Sequence, residues 1–259
     1  MAILEAQDIH ISFGGVQALQ GVDLSLGERE VLAVIGPNGA GKTTLINCIS
    51  GWYKPDIGRI LLGGRDITRL PADKVAAAGI GRTFQNTAIF RGLTVLENIM
   101  VGAHLWMRSN FLSCMFYWNL AQKEEVEVRR LAEDIIDFLE IQHIRRTPAG
   151  ALPMGLRRRV ELGRALAMRP KVLLLDEPMA GLNVEEKEDM ARFILDVNEE
   201  RGLPVILIDH DMGVVMDISD RVMVLDYGLK IAEGMPDEVR QNPRVISAYL
   251  GVQAEGVRE

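Results

Sequence analysis

Gly36-Pro37-Asn38-Gly39-Ala40-Gly41-Lys42-Thr43-Thr44 decides how the rest of the chain is read. The stretch fits G-x-x-x-x-G-K-[ST], the phosphate-binding loop, and its flanks give that pattern its meaning. Before it, Val31-Leu32-Ala33-Val34-Ile35 is an unbroken apolar run of the kind a buried parallel strand requires. After it, Leu45-Ile46-Asn47-Cys48-Ile49 suits the first turns of a helix. A strand feeding a glycine-rich turn and then a helix N-terminus gathers backbone N–H donors and the positive end of a helix dipole at one point. Polyphosphate is the ligand such a point binds. Lys42 is expected to reach the terminal phosphates, and the Thr43 hydroxyl to ligate magnesium.

Downstream of the loop the same grammar returns. Val172-Leu173-Leu174-Leu175 is a second apolar run, and it leads straight into Asp176-Glu177-Pro178. Ligands of parallel sheets gather at the C-terminal ends of strands. Asp176 there is placed to hold magnesium through water, and Glu177 to act as a general base on an attacking water. A third run, Val205-Ile206-Leu207-Ile208, ends in Asp209-His210-Asp211, which makes His210 a functional candidate by position. Gln85, in Arg82-Thr83-Phe84-Gln85-Asn86, reads on its own as a surface residue.

Upstream, residues 2–30 read as strands, with Val22-Asp23-Leu24-Ser25-Leu26 alternating cleanly and Ser12-Phe13-Gly14-Gly15-Val16 as the turn between them. Ile60-Leu61-Leu62-Gly63-Gly64 reads as a strand ending in a hairpin, and Asp226-Tyr227-Gly228 as the turn between Val222–Leu225 and Lys230–Ala232. From about Ala88 to Pro153 the character changes. Ala121 to Ile141 is expected as one long helix carrying Val128, Leu131, Ile135, Phe138 and Leu139 on one face. Ahead of it, 105–120 holds Trp106, Phe111, Phe116, Tyr117 and Trp118, which suit either packing in a helical insert or a contact with a membrane partner. A helix from Glu185 to Arg201 completes the alternation. The pattern is α/β: a core on a mostly parallel sheet, interrupted once by helices.

The chain has 259 residues, 48% hydrophobic and 25% charged, enough for one large domain with a subdomain. A net charge of −7 argues against a nucleic-acid binder. Cys48 and Cys114 have no metal-ligand spacing and are expected to be reduced, in a cytoplasmic protein. No apolar run approaches the roughly 18–20 residues that span a bilayer, and Met1–Glu5 does not resemble a signal peptide.

Taken together, Gly36–Thr43, Gln85, Asp176-Glu177, Ala180-Gly181-Leu182-Asn183 and His210 resemble, in order and spacing, the motifs of an ABC-type ATPase. Arg82-Thr83-Phe84-Gln85, Leu93-Thr94-Val95-Leu96-Glu97-Asn98, Asp209-His210-Asp211-Met212 and Ala248-Tyr249-Leu250-Gly251 look like the branch that energises branched-chain amino-acid importers. The resemblance implies a P-loop NTPase core with an N-terminal antiparallel β subdomain and an inserted α-helical subdomain. It implies one ATPase domain over 1–251, an insert at about 88–153 and a tail at 252–259. Its cofactors would be ATP and Mg2+. Phe13 would stack on adenine, Gln85 would contact the magnesium and the water, and His210 would hold the γ-phosphate. Partners would be permease subunits, a second ATPase chain and, indirectly, a substrate-binding protein, with the assembly on the inner face of the cell membrane. The other readings are an exporter or lipid-extraction ATPase, a non-transport ABC ATPase, and a regulatory subunit that binds ATP without turning it over.

One stretch departs from the family's pattern. The signature, Leu-Ser-Gly-Gly-Gln or Leu-Ser-Tyr-Gly-Gln, aligns with Leu152-Pro153-Met154-Gly155-Leu156. The position of the hydroxyl that would donate to the opposite γ-phosphate is Pro153, which offers neither hydroxyl nor N–H. Losing a hydrogen bond to a charged group costs about 1.5–3 kcal/mol. The expectation is therefore a heterodimer, in which this chain's phosphate loop is completed by a partner with an intact signature.

Overall fold

The computed structural model describes residues 2–83, 89–107 and 120–255. It opens with two long antiparallel strands, β1 (Ala2–Phe13) and β2 (Val16–Gly27), joined at Gly14-Gly15. Then come β3 (Val31–Ile35), α1 (Lys42–Ile49), β4 (Ile57–Leu62), β5 (Arg65–Asp66), α2 (Ala72–Ala78) and β6 (Ile80–Arg82). Three helices follow: α3 (Val95–Gly102), α4 (Leu120–Phe138) and α5 (Met154–Ala167). The chain then alternates through β7 (Val172–Asp176), α6 (Val184–Glu199), β8 (Val205–Ile208) and α7 (Met212–Ile218). It ends with β9 (Arg221–Asp226), β10 (Leu229–Gly234), α8 (Pro236–Arg240) and α9 (Pro243–Glu255).

These strands make two sheets. β2-β1-β4-β5 is antiparallel throughout, and β10-β9-β3-β8-β7-β6 is parallel except for the β9–β10 hairpin. Every residue of β3, β7 and β8 is buried, and the alternation along them explains why. Val31, Ala33, Ile35, Leu173, Leu175, Val205 and Leu207 point to one core, shared with Ile99, Ile135, Val160 and Phe193 of the helices. Leu32, Val34, Leu174, Ile206 and Ile208 point to the other, shared with Leu45 and Ile46 of α1 and with Leu4, Ile9 and Leu24 of the antiparallel sheet. A strand covered on both faces carries no polar alternation, so it reads in sequence as a solid apolar run.

Helix ends differ from expectation by one to three residues. α4 stops at Phe138 rather than Ile141, because Glu140 takes a left-handed φ of 58° that an α-helix cannot continue through. Ala132 and Ile136 widen its buried stripe, while Leu131 and Phe138 are half-buried. α6 begins at Val184, where Asn183 accepts from the Glu186 N–H and Glu186 returns to the Asn183 N–H, a reciprocal capping box. β6 was not anticipated at all. Its three residues, Ile80-Gly81-Arg82, pair parallel to β7 at the sheet's end, and a glycine and an arginine hide the apolar signal. Most of the aromatic segment 105–120 lies outside the described residues.

Candidate functional site

Because β3, β7 and β8 run parallel and adjacent, the loops that leave their C-terminal ends share one edge of the sheet. The phosphate loop leaves β3, Asp176-Glu177 ends β7, and Asp209-His210 follows β8.

The loop turns on backbone that other residues do not tolerate. Gly36 has φ 147°, and a Cβ there would lie 2.0 Å from the Leu225 carbonyl oxygen of β9. Gly41, at φ 104°, would meet the Ala18 carbonyl oxygen at 2.7 Å. The loop is held from outside by the Gly228 N–H, which donates to the Ala40 carbonyl at 3.0 Å. It is held from inside by Lys42, whose Nζ donates to the carbonyls of Gly36 at 2.7 Å and Pro37 at 2.9 Å. Burial lowers the Lys42 pKa below the ordinary lysine value, while the carboxylates of Glu177 and Asp176 act in the opposite sense. Asn38 and Gly39 are exposed at the tip of the loop and Thr43 is exposed in the first turn of α1, with Thr44 half-buried beside it.

Asp176 is buried, and burial raises its pKa, opposed by the Arg82 guanidinium. Arg82 Nη2 donates to Asp176 Oδ2 at 2.9 Å. Asp176 Oδ1, although buried, has no hydrogen-bond partner among the described residues. Glu177 sits in left-handed backbone at φ 51°, and its N–H donates to the Ile208 carbonyl at 2.8 Å, tying the end of β7 to the end of β8. A magnesium ion asks for one or two carboxylates, waters and the phosphates of its substrate rather than an all-protein cage. The orphaned Asp176 oxygen at the end of β7 and the exposed Thr43 after β3, on the same sheet edge, fit that requirement.

His210 is 70% exposed at the edge, with Nδ1 3.8 Å from Asp209 Oδ1. The organiser of this turn is Asp209, which is buried. Its Oδ1 accepts from the N–H groups of His210 at 2.8 Å and Asp211 at 3.1 Å, and its Oδ2 from the Met179 N–H at 3.2 Å. Phe13, at the tip of β1, is exposed and packs edge-on against Tyr53 with ring centroids 5.1 Å apart. Gln85 lies outside the described residues.

Pro153 occupies the N-cap of α5, and its side chain makes no capping hydrogen bond. Gly155 in the first turn is buried against α6, where a Cβ would meet Glu186 Oε1 at 2.4 Å.

Two residues with structural leverage here, Arg82 and Asp209, enter the sequence reading only as neighbours of Gln85 and His210. For Asp209 a signal existed, since an aspartate ending an apolar strand often accepts from the N–H groups that follow it. For Arg82 no local signal existed.

A family model described as ABC transporter matches residues 19–180. The chain belongs to the ABC transporter family. A second model, described as branched-chain amino acid ATP-binding cassette transporter, matches residues 230–255 of this ABC chain. The high-affinity branched-chain amino acid transport ATP-binding protein BraF of Pseudomonas aeruginosa is 41% identical over 96% of the chain and 98% of its own length. Among solved structures, the ADP conformation of an ATP-binding cassette of an ABC transporter superposes with a TM-score of 0.84 at 35% identity, over 97% of this chain and 99% of that one. A dimeric ATP-binding cassette in a post-hydrolysis state, bound to ADP and Pi, superposes at 0.76 with 25% identity, over 90% and 98% of the two chains. The ABC fold carries the expected α/β P-loop core, with its mostly parallel sheet, antiparallel N-terminal sheet and helices.

Proposed function

We propose that this chain is the ATP-binding and ATP-hydrolysing subunit of an ABC importer for branched-chain or related amino acids. The observation that carries the reading is one sheet edge bearing the phosphate loop, the Asp176-Glu177 pair and His210, in a member of this family. The solute class follows the BraF relative and the match over 230–255.

In this reading the N–H groups of the loop from Gly36 to Thr44 and the Lys42 ammonium bind the phosphates, and Phe13 stacks on the base. Glu177 orients the attacking water and takes its proton, and His210 steadies the γ-phosphate as charge develops on it. Magnesium, when bound, neutralises charge on the phosphate oxygens, and Thr43, Asp176 and Gln85 are the residues that would hold it. Pro37, Asn38, Gly39, Ala40 and Gly41 shape the cradle. The domain runs over 1–251 with its helical insert at about 88–153, followed by a tail.

The exposure of His210 and of Pro153-Met154 suits a site completed by a second ATPase chain. The uncapped Pro153 favours a heterodimer: this chain's loop closes under the partner's signature, while the site that Pro153–Leu156 would cover is weak. No described helix is long and apolar enough to cross a membrane. As subunits of such importers pair with permeases, permease subunits would carry the solute here, with this chain on their cytoplasmic face. The groove lined by Trp52, Phe90, Val101, His104 and Arg164 is the surface we assign to them.

The test is reconstitution of this chain with its permeases and second ATPase in vesicles supplied with the binding protein. ATP-dependent uptake of leucine, isoleucine or valine is expected. ATP-driven extrusion, or uptake unaffected by Glu177→Gln, would overturn the reading.

A further inference from the structure

Arg82 projects from the short edge strand β6 into the space between α1 and β7, and its side chain is only 9% exposed. Its two terminal nitrogens are used differently. Nη1 donates to Asn47 Oδ1 at 2.7 Å and to Ser50 Oγ at 2.9 Å, on α1 and at its C-cap. The Ser50 hydroxyl spends its own proton on the Ile46 carbonyl at 2.7 Å, which leaves its lone pairs to Arg82. Nη2 donates to Asp176 Oδ2 at 2.9 Å.

An unrestrained arginine grips a carboxylate with both nitrogens and occupies both oxygens. Here Asn47 and Ser50 hold Nη1 on α1, so Arg82 takes one Asp176 oxygen and leaves Oδ1, in a buried position, without a partner among the described residues. α1 is also the helix that the phosphate loop opens into. One guanidinium thus fixes the carboxylate relative to the loop.

We propose that Arg82 is a positioning residue that aims Asp176 Oδ1 at the nucleotide-bound cation, with Asn47 and Ser50 restricting it to a one-oxygen grip. This rests on the ATPase reading above. Lysine cannot substitute, because one ammonium does not span two acceptors on α1 and a carboxylate on β7 in a fixed plane.

The test uses the purified chain with its ATPase partner, a non-hydrolysable ATP analogue, and Mn2+ as the magnesium probe, read by loss of the free Mn2+ signal in electron paramagnetic resonance. Arg82→Met and Arg82→Lys are expected to weaken Mn2+ binding to the analogue complex by roughly tenfold or more, the scale of a lost charged hydrogen bond. Affinity for the analogue in EDTA should stay within about twofold, since neither loop nor Lys42 is touched. Ser50→Ala tests the restraint without removing the charge, keeps the assay informative if Arg82→Met fails to fold, and should weaken Mn2+ in the same direction. Wild-type Mn2+ affinity in Arg82→Lys and Ser50→Ala would overturn the proposal alone. A wild-type complex that binds neither analogue nor Mn2+ would overturn the ATPase reading and this proposal with it.

Discussion

Glu177 stands at the end of β7 beside Asp176, the position proposed above for the residue that acts on the attacking water. Its backbone is pinned to Ile208, and its carboxylate opposes the lowering of the Lys42 pKa that burial causes. Glu177→Gln keeps the shape and removes the proposed base. Turnover in the assembled pair should fall by roughly 100-fold or more, on the scale of a lost general base. ATP affinity should be kept, and single-turnover hydrolysis beside equilibrium nucleotide binding checks both. Cys48 makes the opposite case. Burial pushes its thiol up to about 12, so the fold favours the protonated form. Its folded pKa lies above the unfolded value of about 8.5. The stability it contributes is therefore complete below that value and declines as pH rises from there toward 12. Peptide mapping after iodoacetamide treatment at pH 8 should find Cys48 unmodified in the native protein and alkylated in urea. Of the candidate residues, the loop and the acid pair were legible because their chemistry lies in consecutive positions. The Arg82–Asp176 contact was not, because 94 positions separate its partners.

At the scale of elements, the two regions flanking the site are fixed by opposite kinds of helix start. α6 begins with the reciprocal Asn183–Glu186 cap, whereas α5 begins at Pro153 with no side-chain cap. Asn183→Ala removes an acceptor and should cost about 1 kcal/mol. Urea denaturation should show a lower midpoint with an unchanged slope. The existence of α4 and α6 could be read from apolar spacing, while their ends could not. α4 stops at Phe138, before Glu140 turns left-handed, and the periodic residue Leu139 beyond its end is buried all the same. Periodicity reports burial, and burial persists past a helix end. The three residues of β6 are too few to show any period, so only their pairing with β7 makes them a strand.

The whole molecule lays one central sheet between two cores, with helices over one face and α1 plus the antiparallel sheet over the other. Parallel pairing of β3, β8 and β7 carries three distant loops to one edge, where a second chain would close over them. A heterodimer makes a directional prediction. Pro153→Ser should raise turnover at the partner's phosphate loop and leave the loop of this chain unchanged. The check is to inactivate one site at a time with the equivalent glutamate-to-glutamine change in each subunit, then measure ATPase. A gain confined to this chain's own loop would count against the unequal pair.

Residues 31–44, 172–177 and 205–211 determined by themselves where the buried strands lie and what chemistry follows them. Each signal there depends only on neighbours along the chain: an apolar run long enough for a strand, a glycine where φ must be positive, acids at a strand end. Tertiary structure alone decided that Asp209 would organise the His210 turn, that Glu177 would be tied to Ile208, and that Arg82 would hold one oxygen of Asp176 and leave the other without a partner among the described residues. Those contacts join separate segments of the chain, and their geometry exists only once the parallel sheet has set the strands side by side.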